Sequence, residues 1–168
     1  MPDQPSPPPR SRTEEIIFIK IPYVVSGTLF LAAALLNVVN IVARYFFGKP
    51  IFWAEEALIF IMIWAVFVVV ISITYRGAHL SMDLVYNSFG PKLKMAINTA
   101  ITAVFLACIC FTALQSWRVL VLHYRNHGVT AGTDIPLVIP HAAVFFGFVM
   151  MGVAVLVRLR NYITGKFD

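Results

Sequence analysis

Four long runs of apolar residues limit what this chain can fold into. They cover residues 21–43, 51–74, 95–121 and 135–157. A helix needs about 17–25 apolar residues to cross a bilayer, so each run is long enough. Lipid offers no hydrogen-bond partner to an exposed backbone, and four short segments cannot close a barrel. The sequence therefore predicts an all-α integral membrane protein with four transmembrane helices.

The composition excludes several classes of protein. Hydrophobic residues make up 60% of the 168 residues and charged residues 12%, whereas a soluble domain averages about 45–50% and about 25%. An ordinary soluble enzyme, a disordered protein and a nucleic-acid-binding domain are excluded, even though the pI is near 9.5. The two cysteines, Cys108 and Cys110, lie inside the third run and form neither a disulfide framework nor a zinc cluster.

The segments outside the runs divide the chain further. Residues 1–11 are rich in proline and are predicted to be a disordered tail. Residues 12–20 mix charged and aliphatic side chains, which predicts a short helix at the membrane surface. Residues 21–160 then form a single four-helix membrane domain, followed by a cytoplasmic tail over 161–168. No Pro or Gly interrupts 94–127, so the third helix should be about 50 Å long and should tilt, bend or project into water.

Lysine and arginine are distributed unevenly between the two sides of the predicted bundle. The side with the N-terminal segment, the second loop and the C-terminal tail carries nine of them. The opposite side carries four: Arg44, Lys49, Arg118 and Arg125. The positive-inside rule then predicts that both termini are cytoplasmic, which explains the basic pI without a nucleic-acid partner.

Three polar residues share one face of the first predicted span. Asn37, Asn40 and Arg44 follow Ala33 at steps of four, three and four residues. Such a stripe could line a polar path through the membrane, but a single stripe without a chain of acids makes a poor ion route. Small and polar residues on one face suit close helix packing and interhelical hydrogen bonds. We therefore interpret the stripe as a structural seam.

Two acids and a tryptophan lie near the start of the second predicted span. An acid in a membrane segment is a candidate functional site, and small proton-coupled exporters use one. Glu55 and Glu56, however, lie at a helix N-terminus, where the helix dipole favours negative charge. Arg44 lies across a short loop, and Trp53 is at the depth where tryptophan is enriched. We predict an interfacial charge cluster with an ion pair between Arg44 and Glu55 or Glu56.

The other polar candidates follow the second span and surround the fourth. Arg76, His79 and Asp83 are predicted to form an elbow held by hydrogen bonds, since two potential ligands are too few for a metal site. Haem could bind only between His141 and either His123 or His127. The sequence contains no recognisable catalytic, cofactor-binding or metal-binding set, so we do not expect an enzyme.

These residues, in their order and spacing, resemble a known family. The relevant segments are Asn40-x3-Arg44-Tyr45, Pro50-Ile-Phe-Trp53-Ala-Glu55-Glu56, Arg76-Gly-Ala-His79-x3-Asp83 and Asp134-Ile-Pro136. Together they resemble the small membrane subunit, of the Q or DctQ type, of tripartite ATP-independent periplasmic (TRAP) transporters. The resemblance extends over about residues 21–160 and therefore includes all four spans.

The resemblance implies a role that depends on partners. Small subunits of this family have four membrane helices with cytoplasmic termini, and they lie in the bacterial inner membrane. They bind a large permease subunit that carries the substrate and sodium sites, and a periplasmic binding protein delivers a carboxylate substrate. This chain would then be a scaffold without a cofactor. A self-sufficient proton-coupled exporter and a haem-binding membrane anchor of a redox enzyme remain as alternatives.

Overall fold

The computed structural model describes residues 12–77, 91–130 and 132–164 of the chain, with side chains from residue 93 onward in the second range. Its helices are α1 (Arg12–Glu15), a π-helical turn (Ile16–Lys20), α2 (Ile21–Phe46), α3 (Phe52–Tyr75), α4 (Pro91–Arg125), α5 (Val138–Val157) and α6 (Leu159–Thr164). The described ranges contain helices and turns, with one isolated β-bridge between Val129 and Pro136. The predicted tail over residues 1–11 lies outside them.

Four of these helices are long and apolar enough to cross a membrane. They pack in the order α2, α3, α5, α4, and α6 packs mainly against α4. In the most apolar 18-residue stretch of each helix, 28% of the residues are buried in α3 and 33% in α5, the two inner helices. The corresponding shares are 11% for α2 and 17% for α4. Most residues of even the inner helices therefore keep part of their surface exposed, as expected when lipid or a partner covers it.

The bundle has two ends that differ in their connections. The turn between α2 and α3 and the loop between α4 and α5 lie together at what we call the hairpin end. The start of α1, the end of α3, the start of α4 and helix α6 lie at the opposite end, which we call the terminus end. Polar side chains from different helices meet at both ends.

The segment that the sequence suggests as a separate surface helix is continuous with the first span. Residues Arg12–Phe46 form one helical rod, interrupted only by the π-helical turn. A π-helical turn displaces carbonyl groups from the regular α-helical pattern. The Ser72 hydroxyl of α3 donates to the displaced Phe18 carbonyl oxygen at 2.7 Å and lies 3.4 Å from that of Ile19. This contact joins the rod to α3.

The third span is longer than its apolar run, and the C-terminal segment folds back on it. Helix α4 has 35 residues, which corresponds to about 52 Å. Residues Leu159–Thr164, which include the start of the predicted cytoplasmic tail, form α6. Its Tyr162 is 2% exposed and lies 6.5 Å from the Phe105 ring of α4. The aromatic ring gives the segment enough apolar surface to pack against α4.

The fourth helix begins at Val138, three residues after the start of its apolar run. The preceding residues form a short two-stranded turn. The Thr130 N–H donates to the Ile135 carbonyl at 2.9 Å, and the Leu137 N–H donates to the Gly128 carbonyl at 2.9 Å. Pro136 lies inside this turn and cannot donate a backbone hydrogen bond, so the helix starts after it.

The close contact between α3 and α5 depends on a glycine. Ala143 is fully buried, and a Cβ atom at Gly147 would lie 2.6 Å from Cδ1 and 2.9 Å from Cβ of Phe67. The Cβ of Phe67 is fixed to the backbone of α3 and cannot rotate away. Any side chain at Gly147 would therefore push the two inner helices apart.

We expect Gly147→Ala to destabilise the chain by about 1–3 kcal/mol, the usual cost of overpacking. Gly27→Ala is the matched control, because Gly27 is also helical and has nothing within 4 Å of its Cβ position. The control should be neutral or stabilising by up to about 1 kcal/mol through helix propensity. Unfolding in detergent measures both variants. Equal stability of the two would contradict the contact.

Candidate functional site

An ion pair joins the first two long helices at the hairpin end. Arg44 lies in the last turn of α2 and Glu55 in the first turn of α3. The Arg44 guanidinium donates through Nη2 to the Glu55 carboxylate, and their side chains are 49% and 64% exposed. An exposed pair of this kind contributes at most about 1 kcal/mol in water. Its main effect is to define which faces of α2 and α3 meet.

Asn40 organises the turn between these helices. It is 5% exposed, and its Oδ1 atom accepts a hydrogen bond from the Ile51 N–H at 3.0 Å. Ile51 is the residue that caps α3. Backbone donors at a helix start have no partner within the helix, and a side-chain oxygen can satisfy one of them. Asn40 therefore fixes the start of α3 relative to α2.

The neighbouring acid, Glu56, binds the other loop at the hairpin end. Thr130 donates from its hydroxyl to Glu56 Oε2 at 2.6 Å, and the Thr133 hydroxyl donates to the same oxygen. The Gly132 backbone also donates to this carboxylate. A Cβ atom at Gly132 would lie 2.7 Å from Glu56 Oε1, so a larger residue there would require the carboxylate to shift. The carboxylate thus ties the loop between α4 and α5 to α3.

Two histidines also meet at this end, where α4 approaches α5. The rings of His123 and His141 have centroids 4.6 Å apart and are tilted by 40°. The His141 Nδ1 atom lies 2.7 Å from the Leu137 carbonyl oxygen, within hydrogen-bond distance. A metal between two imidazoles would hold their nitrogens about 4 Å apart, twice a bond of about 2 Å. Rings in direct contact leave no space for a macrocycle between them.

The other residues that the sequence singles out lie apart from these contacts. Trp53 is 52% exposed at the start of α3. Asn37 is exposed, while Ala33 and Asn40 on the same predicted seam are buried. The seam divides because Asn37 and Asn40, three residues apart, point in directions about 60° apart around the helix.

Arg76 is placed at the opposite end from the charge cluster. It is exposed at the terminus end, with its guanidinium 5.2 Å from the centroid of the Tyr23 ring. His79 and Asp83 lie outside the described residues, so the predicted elbow stays a prediction.

A second cluster, at the terminus end, has no counterpart in the sequence analysis. The Tyr75 ring stacks on Phe18 with centroids 5.0 Å apart, and its hydroxyl donates to the Glu14 carboxylate at 3.0 Å. The Arg158 guanidinium lies 4.8 Å from the centroid of the same ring. Tyr75 therefore brings α1, the π-helical turn, α3 and the end of α5 together. A tyrosine directly after an apolar run gives no sequence signal of this role.

Arg158 and Tyr162 complete this cluster. Arg158 is 6% exposed, and its Nε and Nη2 atoms have no hydrogen-bond acceptor among the residues that the structure describes. The Tyr75 ring provides it with a cation–π contact. Tyr162 donates from its hydroxyl to the Thr74 carbonyl at 2.5 Å. Burial raises the pKa of Tyr162 to about 12.

Neither cluster has the composition of a catalytic or metal centre. Within residues 12–77, 91–130 and 132–164, no group of three or more His, Cys, Asp or Glu side chains could hold a metal ion. The carboxylates of both clusters bond to side chains or backbone of the chain itself. The hydrogen bonds and ion pairs of both clusters join the ends of neighbouring helices.

Two comparisons with known proteins agree on one family. Residues 19–165 match the family described as tripartite ATP-independent periplasmic transporters, DctQ component. The chain is also similar to a protein of Vibrio cholerae serotype O1 named C4-dicarboxylate TRAP transporter small permease protein DctQ. They are 25% identical over 159 residues, which is 82% of this chain and 68% of that protein. The family match includes all four long helices.

We expect Glu56→Ala to loosen the loop between α4 and α5, because the Thr130 and Thr133 hydroxyls lose their shared acceptor. Amide hydrogen exchange in residues 128–137 should become several-fold faster. Glu55→Ala is the matched control, since Glu55 is the adjacent acid and bonds to Arg44 instead. Equal exchange in both variants would show that Glu56 does not hold the loop.

Proposed function

Because the chain belongs to the DctQ component family of the tripartite ATP-independent periplasmic transporters, we propose that it is the scaffold of such a transporter. In this role the small subunit holds the large permease subunit in the bilayer and carries no substrate itself. Membership of a transporter family makes it a transporter subunit rather than an enzyme.

The observation that carries this proposal is the distribution of polar groups in the four long helices. Most of those that join different elements are grouped at the two ends of the bundle, with the Ser26–Ala65 bond between α2 and α3 as an exception, and they bond within the chain. Between the ends, the surfaces of the helices are mostly Val, Leu, Ile, Phe and Met. A transport route needs polar contacts along its length for a polar substrate. These helices instead suit packing against lipid and protein.

The partners and the substrate class follow from the family. We assign the chain a large permease subunit as its membrane partner and a periplasmic binding protein as the component that delivers substrate. The similar Vibrio cholerae protein is named for C4-dicarboxylates, which supports a carboxylate as the transported class. Secondary-active uptake coupled to sodium, with the sodium sites on the large subunit, completes the proposed assembly.

The same proposal places the chain in the bacterial inner membrane with both termini in the cytoplasm. The support is the distribution of lysine and arginine, nine on the terminus side and four on the hairpin side. The Arg44–Glu55 pair and the loop between α4 and α5 would then face the periplasm. The Tyr75 cluster would face the cytoplasm.

Single-cysteine labelling tests this orientation. In a background without Cys108 and Cys110, Lys49→Cys should react with a membrane-impermeant maleimide added to intact spheroplasts. Lys92→Cys should react only after the membrane is permeabilised, because the side with more lysine and arginine stays in the cytoplasm. The reverse pattern would show that the orientation is wrong.

The structure favours the scaffold over both alternatives from the sequence. An exporter needs a carboxylate that is free to bind and release a proton inside the membrane. Glu55 pairs with Arg44 at the end of the bundle, and Glu56 accepts hydrogen bonds from a loop. A haem anchor needs two histidines separated by the macrocycle, whereas the His123 and His141 rings are in contact.

Uptake into proteoliposomes tests the proposed function directly. Three preparations are compared, each with the binding protein present: this chain alone, the large subunit alone, and both subunits together. Substrate uptake should occur with both subunits and be absent with this chain alone. Gly147→Leu should lower the yield of assembled transporter, while the transporter that does assemble should keep nearly its normal apparent affinity for substrate. Gly27→Leu is the control. Uptake by this chain alone would overturn the scaffold role.

A further inference from the structure

One polar side chain in the first long helix lacks the hydrogen bond that a lipid environment requires. Asn37 is exposed on α2, seven residues or about 10 Å along the helix axis from Arg44 at the hairpin end. No described residue hydrogen-bonds to its amide group. An amide cannot remain without a partner in hydrocarbon at low cost.

Exposed hydroxyls in the same spans show how the chain otherwise avoids this cost. The Thr28 hydroxyl donates to the Val24 carbonyl at 2.8 Å. Thr99 and Thr112 make the same bond, at 2.8 Å, to the carbonyls of Met95 and Cys108. Each hydroxyl is thus satisfied by its own helix, four residues earlier. Asn37 makes no such bond, so its amide is available to a group outside the chain.

The surface around Asn37 is defined by two contacts between α2 and α3. Ser26 and Arg44 lie on the same face of α2 as Asn37, three turns before it and two turns after it. Ser26 donates from its hydroxyl to the Ala65 carbonyl at 2.9 Å, and Arg44 binds Glu55. Asn37 therefore lies between two fixed points along the edge where α2 meets α3.

The adjoining face of α3 is apolar and open. Ile59, Met62 and Val66 follow Glu55 at steps of four, three and four residues, and they are 58%, 39% and 50% exposed. They line an open depression of about 420 Å³ on α3. On α2, Phe30 and Ile41 flank Asn37 and are 60% and 48% exposed. We call this surface the docking face: Phe30, Asn37, Ile41, Ile59, Met62 and Val66.

We infer that the docking face binds a transmembrane helix of the large permease subunit, and that this helix presents a polar side chain to the Asn37 amide. The inference rests on the proposed function, which supplies the partner. Lipid tails would cover the aliphatic residues of this face equally well, but they cannot satisfy the amide. A polar group on a neighbouring helix can, and such bonds link helices within membranes.

Site-specific photo-crosslinking in the assembled transporter tests the location. Benzoylphenylalanine replaces Phe30, Ile41 or Met62 on the docking face. The matched controls are Leu31 and Leu35, which are 62% and 59% exposed on the far side of α2. After irradiation, the three docking-face positions should give an adduct with the combined mass of the two subunits. The controls should give several-fold less.

Each other outcome overturns the inference in a recognisable way. An adduct at twice the mass of this chain would assign the face to a second copy. Lipid adducts alone, in a preparation where the large subunit still copurifies, would disprove the location and leave the scaffold role intact. Failure of the large subunit to copurify with the unmodified chain would remove the proposed function as well.

Substitution of Asn37 tests the hydrogen bond itself. Asn37→Leu should reduce the copurified large subunit about threefold to tenfold relative to this chain, the factor expected for one interhelical hydrogen bond in a membrane. Asn37→Gln keeps an amide and should recover most of the loss. Thr28→Val is the control, because its hydroxyl bonds only to its own helix. An unchanged ratio for Asn37→Leu would overturn the role of the amide.

Discussion

Lipid hydrocarbon offers no hydrogen-bond partner, and the polar side chains of this chain are arranged around that constraint. Hydroxyls that face outward bond to their own helix, as Thr28 does with Val24. Some hydroxyls at helix contacts bond instead to a neighbouring helix, as Ser26 does with Ala65 and Ser72 with Phe18. The backbone meets the same requirement by being helical through almost all of each long apolar run. Polar groups that could not be satisfied in these ways are concentrated at the two ends.

The clusters at the two ends give the helix row an order that apolar contact alone would not specify. Lipid tails are as apolar as leucine, so burial of apolar surface provides little preference for one helix neighbour over another in a membrane. The preference comes from shape, as at Gly147, and from polar contacts with few alternative partners. Glu56 bonds to the loop between α4 and α5, and Tyr75 contacts α1 and the end of α5. These contacts connect elements that are far apart in sequence.

A row of helices that buries so little of its own surface suits a subunit that works within a larger assembly. Both faces of the row carry exposed apolar residues, and polar contacts at its ends join the helices to one another. A rigid scaffold can widen the membrane footprint of a moving permease and anchor it while that permease changes its access. At the edge between α2 and α3, the exposed amide of Asn37 interrupts an otherwise apolar surface.

The sequence by itself determined the class, the number of spans and the family, because run length and motif order are properties of the chain read in one direction. It also brought Arg44 close to Glu55, since only a short turn separates them. Only the tertiary structure showed that Arg44 pairs with Glu55 and not with Glu56. It also showed that Asn40 is buried while Asn37 is exposed, and that residues 159–164 form a packed helix. It alone revealed the Tyr75 cluster. Those features depend on the rotation of each helix and on contacts across 50 or more residues, which apolar runs do not encode.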